Sequence, residues 1–156
     1  MLSRRQSLAL TTFSEGMNCA QSVCSAFAAD LSMNNGQMMK LASCFGGGMR
    51  MGATCGALTG ALMVLGLAAG YSVYDLAAKQ DTEKLTLDLL AAWKENIGQT
   101  DCKEILGINP SIPVRRQLAK EQGIFDDNCP HCIATAVELV EKILQEKNNK
   151  MGETDV

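Results

Sequence analysis

The sequence predicts an all-α fold: a compact single-domain bundle of about six to eight helices around a buried Gly/Ala-rich central helix. Three observations predict it. Apolar residues recur at i, i+3 and i+4 spacing along most of the chain. Capping residues and glycines punctuate that pattern at its starts and stops. No segment alternates apolar and polar residues as a half-buried strand does, and there is no repeat or linker. With 156 residues, 47% of them apolar, the chain is long enough to bury one real core.

Ser3 can cap a first helix through Phe13, which Glu15-Gly16 ends. Asn18 starts a second, Cys19 to Leu31, with Ala20, Val23, Cys24, Phe27 and Leu31 on its apolar face. Asn34-Asn35-Gly36 is a turn signal, followed by a short helix to about Cys44. Gly46-Gly47-Gly48 breaks that helix, and a flexible loop runs to Gly52. Thr54 then caps the central helix to Ala69, with Gly70 as its C-terminal cap. Ser72 and Asp75 have capping-box spacing before a helix striped by Leu85, Leu89, Ala92, Trp93 and Ile97. Asp101 opens a short helix ending at Gly107, and Val114 to Gln122 forms another. Asn128 caps the last helix, with Pro130 in its first turn. The domain spans residues 1–147, and residues 148–156 form a polar, disordered tail.

Met51 to Tyr74 contains no charged side chain, so a membrane span must be weighed. Gly52 and Gly70 bound the helix short of the ~20 residues a span needs. Its glycines and alanines also dilute the hydrophobicity, so a buried helix is expected. Gly52, Gly56, Gly60, Gly66 and Gly70 allow close approach of another helix, from this chain or from a second subunit of a homodimer. Charge is uneven. Residues 1–74 carry four Lys/Arg and two Asp/Glu, whereas the remainder carries ten and fifteen. The formal net charge of −3 does not suggest nucleic-acid binding. Leu8 to Phe13 is too short and polar for a secretory core, and a cytoplasmic location is expected.

The chemistry lies in the cysteines. Four of the seven follow a capping residue: Asn18-Cys19, Thr54-Cys55, Asp101-Cys102 and Asn128-Cys129. A cysteine in the first turn of a helix sits near the positive end of its dipole, which favours thiolate. Converging starts would build a redox or metal centre. Cytoplasmic cysteine clusters serve metals or redox work more often than static cross-links. Cys129-Pro130-His131-Cys132 adds a C-x-x-C dithiol at a helix start, as in thioredoxin-like oxidoreductases and strongly oxidising bacterial disulfide oxidases. No βαβ pattern surrounds it, so a thioredoxin fold is not expected. His131 is expected to face solvent, and Cys24 and Cys44 to pack in the core. The glycine triplet fits neither a dinucleotide fingerprint nor a P-loop.

These motifs resemble a family of redox-active proteins named for the pattern C, C-G-A-x-x-G, C, C. Asn18-Cys19-Ala20-Gln21-Ser22-Val23 is similar to its first segment. Phe45-Gly46-Gly47-Gly48 with Cys55-Gly56-Ala57-Leu58-Thr59-Gly60-Ala61 is similar to the second. Cys102 to Gly107 resembles the third, and Cys129-Pro130 the fourth. The resemblance implies that Cys19, Cys55, Cys102 and Cys129 are the functional cysteines, with Cys132 an addition.

The expected function is thiol–disulfide exchange or electron transfer with a redox partner protein, carried by Cys19, Cys55, Cys102, Cys129 and Cys132. In the alternative, Cys19, Cys55, Cys102 and Cys129 ligate an iron–sulfur cluster or zinc. No C-x-x-C-H is present, so covalent haem attachment has no support. A third reading is a non-enzymatic helical interaction module.

Overall fold

The computed structural model describes residues 1–153, with side chains through Lys150. Among the described residues eight α-helices form the fold: α1 (Arg4–Ser14), α2 (Cys19–Ala28), α3 (Asn35–Ala42), α4 (Gly56–Ala69), α5 (Leu76–Ile97), α6 (Cys102–Leu106), α7 (Pro113–Glu121) and α8 (Ile124–Glu153). No strand is present among them. One isolated antiparallel bridge joins Thr54 to Asp101. Among the described residues no helix is long and apolar enough to cross a membrane.

Local chemistry sets the helix starts. Ser3 and Gln6 close a capping box on α1, and Asn18 and Gln21 close one on α2. Asp75 caps α5 by accepting from the Ala78 N–H, so this start lies at Asp75 and not at Ser72. α2 ends at Ala28, one turn before Leu31. Gly70 takes the C-cap of α4 in an extended conformation.

The central layer is α2 packed on α4, with α1 and α8 closing around them. A Cβ added at Gly60 would stand 2.8 Å from the Ala20 carbonyl oxygen, and one at Gly56 would stand 3.3 Å from the Cys19 Cβ. The two glycines therefore serve close packing within the chain. Around this contact Phe27, Leu58, Leu89, Trp93 and Ile133 are almost fully buried. Each such burial contributes about 1.5–3 kcal/mol. Gln6 Nε2 donates to the Ala134 carbonyl and ties α1 to α8.

Two expectations fail at the C-terminal helix. α8 begins at Ile124, and the Asp127 N–H already bonds the Gly123 carbonyl. Asn128 is thus inside the helix, where its Nδ2 donates to the Ile124 carbonyl. Pro130 is also internal, and its missing N–H leaves a gap in the i to i−4 ladder. The helix continues through Glu153, past the polar tail expected from Asn148; residues 154–156 lie outside those described.

Candidate functional site

Three loops and one helix interior bring the cysteines together. Asn18 fixes the first segment: it caps α2, and its Nδ2 donates to the carbonyls of Ala42 and Ser43. Cys19 follows at the first helical position. The second and third segments are locked by the bridge between them. The Cys55 N–H donates to the Thr100 carbonyl at 2.8 Å, and the Cys102 N–H to the Ala53 carbonyl at 2.7 Å. Trp93 Nε1 donates to the Gln99 carbonyl and holds the approach to that bridge. Cys129 and Cys132 come from successive turns of α8.

The sulfurs meet in pairs across helices. Cys19 interacts foremost with Cys129, and Cys55 with Cys132. Cys102 lies beside Cys55 and Cys129 without such a partner. The two ends of the C-x-x-C therefore each take a partner on another element, where the sequence suggested that they meet each other. No group of three or more His, Cys, Asp or Glu among the described residues is arranged to hold a metal ion.

The pairs differ in chemistry. Cys55 is itself the N-cap of α4, one position later than the expected Thr54. The Cys132 thiol donates to its sulfur, and the N–H groups of Ala57 and Leu58 face it. Together they outweigh burial and hold the Cys55 pKa below the ordinary thiol value. Its partner Cys132 is pushed up by that same contact, then by burial. The inner pair thus joins a thiol held below its ordinary pKa to a neighbour held above it.

Cys19 is raised well above the ordinary value, first by hydrogen bonding to Cys129 and then by burial. Cys102, buried, is pushed up to about 12 by desolvation and by neighbouring Cys55 and Cys129. The first-turn positions of Cys19 and Cys102 do not make them thiolates, contrary to expectation: desolvation and crowded sulfurs win over a helix-terminal field. Cys129 lies inside α8 and not in its first turn.

Access is also unequal. Cys19, Cys102 and Cys129 line an open pocket of about 750 Å³, together with Phe13, Phe125, Arg50, Arg116 and Lys120. Cys55 and Cys132 do not line it; Cys102 and Cys129 reach it although they too are buried. Sequence reasoning missed Arg50, Arg116 and Lys120, whose spacing forms no motif. Cys24 is buried as expected, its thiol directed at the Gly60 carbonyl. Cys44 is exposed, a correction, because α3 ends at Ala42 and a 3₁₀ turn carries Cys44 off the apolar stripe. His131 faces solvent.

No curated protein and no solved structure matches the chain. A family description does, and its name writes the second segment G-C-A-x-x-G where this chain reads Cys55-Gly56-Ala57-Leu58-Thr59-Gly60. The match to "Putative redox-active protein (C_GCAxxG_C_C)" covers residues 17–143, most of the chain, which therefore belongs to that redox-active family.

Proposed function

We propose that this chain is a thiol–disulfide redox protein with two working pairs: an outer pair, Cys19 and Cys129, and an inner pair, Cys55 and Cys132. The observation that carries this reading is the cross-helix pairing of the sulfurs, with only the outer pair lining the pocket. In the first step a deprotonated outer thiol attacks a partner's disulfide, forming a mixed disulfide and releasing one partner thiol. The second outer thiol resolves it, releasing the other partner thiol and closing a Cys19–Cys129 disulfide. The protein loses two electrons and two protons, and the partner gains them.

In the second step the Cys55 thiolate attacks the outer disulfide, and Cys132 resolves that intermediate. The outer dithiol is restored and a Cys55–Cys132 disulfide remains. Two electrons have moved outward through the protein. The cytoplasm, where disulfides are transient and catalytic, suits such a cycle.

The test is anaerobic purification of a Cys44→Ser variant, which removes the exposed thiol. Metal and sulfide analysis then precedes thiol counting before and after treatment with a disulfide oxidant. The reading expects four thiols to disappear reversibly and metal to be substoichiometric. Stoichiometric iron or zinc with thiols protected from oxidant would overturn it in favour of a four-cysteine centre.

A further inference from the structure

The pocket in front of the outer pair has a charge pattern that the dithiol chemistry does not require. Arg50, Arg116 and Lys120 all line it, against a single carboxylate, Asp126. Among the described residues none of these three cations has an ion-pair partner. Arg50 and Arg116 repel one another, and that repulsion, after burial, holds the Arg116 pKa below the ordinary arginine value. Placing unpaired like charges together is unfavourable unless an anion joins them.

The backbone adds a second, independent sign. Arg50 has φ +59 and Met49 φ +56, both left-handed, between Gly48 at φ +60 and Gly52 at φ +69. Non-glycine residues held there cost of order 1–3 kcal/mol each, and such strain clusters at ligand clamps. The loop is fixed in this form by the Ala53 N–H bond to the Gly48 carbonyl, and the Ala53 backbone leaves no room for a side chain at Gly48. This strained turn carries the Arg50 side chain to the pocket.

From these observations we infer that the pocket binds an anionic low-molecular-weight disulfide, one bearing carboxylates, as the oxidant of the outer pair. The inference rests on the proposed exchange function and names its substrate class. A volume of about 750 Å³ suits a small molecule. The guanidinium groups take the carboxylates in forked contacts, and Phe13 and Phe125 take the aliphatic portion. The reaction then runs R–S–S–R plus the Cys19 and Cys129 thiols to two R–SH plus the Cys19–Cys129 disulfide. Each bond broken is matched by one formed, and two electrons pass to the small disulfide.

The experiment has a binding arm and a reaction arm. Binding of S-methylglutathione, an anion that cannot exchange, is measured by calorimetry on the full chain. Arg50→Gln and Arg116→Gln are each expected to weaken it about tenfold, the scale of one lost charge-assisted contact. The rate at which oxidised glutathione oxidises the reduced protein is then compared with that of neutral hydroxyethyl disulfide. The ratio of wild-type to variant rate cancels each disulfide's own reactivity. That ratio is expected to be about tenfold larger for oxidised glutathione. Absent binding, or equal ratios for the two disulfides, overturns the anionic-substrate inference. Tighter displacement by a poly-glutamate peptide also overturns it, by assigning the cations to an acidic protein. Binding without any exchange leaves the anion pocket standing and overturns the redox reading instead.

Discussion

Two glycines of α4 give a matched test of how the cysteines are brought together. Gly60→Ala and Gly66→Ala make the same chemical change in the same helix. At Gly60 the new methyl meets the Ala20 carbonyl oxygen at 2.8 Å, the Ala20 Cα at 3.1 Å and the Val23 Cβ at 3.1 Å. Two of these atoms are backbone, so α2 and α4 must move apart. At Gly66 nothing lies within 4 Å. Alanine gains about 0.8–1.0 kcal/mol of helix propensity over glycine at either position. Forcing a methyl into a packed interface costs typically 1–3 kcal/mol. The propensity gain cancels in the comparison, so Gly60→Ala falls about 1–3 kcal/mol below Gly66→Ala. That separation corresponds to roughly 2–12 °C in melting midpoint for a domain of this size. Urea and thermal unfolding measure it directly. Equal midpoints for the two variants would refute close packing of α2 on α4 at this point, and with it the placement of Cys19 beside Cys55.

Further outcomes follow from the site. Cys132→Ala removes the thiol donor to Cys55, so the Cys55 pKa rises; Cys132→Ser keeps a donor and raises it less. Thiolate absorbance against pH checks both, and an unshifted titration in the alanine variant contradicts the inner pairing. Burial pushes Cys24 up to about 12, whereas an unfolded thiol ionises near ~8.5. Its contribution to stability is therefore full below that unfolded value and is lost as pH rises from there to the folded value, at about 1.4 kcal/mol per pH unit. Cys24→Ala should show a shallower alkaline loss in denaturant titrations than the wild type; an identical slope counts against a buried neutral thiol. Asn18→Ala removes the α2 cap and two loop bonds. It should cost about 1–2 kcal/mol in unfolding free energy, with Asn18→Asp retaining the cap; a neutral alanine variant would contradict that role.

The helices were legible because their causes are local. Asn18 and Gln21 sit three residues apart, and the capping box needs nothing else. The glycines at 56 and 60 announce a close approach, but only the fold shows that the visitor is α2. The start of α8 was misread because Asn128-Cys129-Pro130 mimics a cap and first turn. The better signal was the pair Asp126 and Asp127, acids that suit the positive end of a helix starting at Ile124. The convergence of the cysteines was foreseen, yet the partners were not. Pairing depends on which face of α8 meets α2 and α4, a tertiary property with no sequence period. The same holds for Arg50 and Arg116, which are far apart in the chain and adjacent only in the pocket.

Disulfide mapping tests the central claim most directly. The Cys44→Ser protein is oxidised with a small disulfide, alkylated at low pH, digested and sequenced by mass spectrometry. The two-pair account predicts Cys19–Cys129 linkage first and Cys55–Cys132 linkage as oxidation proceeds, with Cys24 free throughout. A Cys129–Cys132 linkage as the principal product would contradict it, because the structure gives each of those sulfurs a partner on a different element.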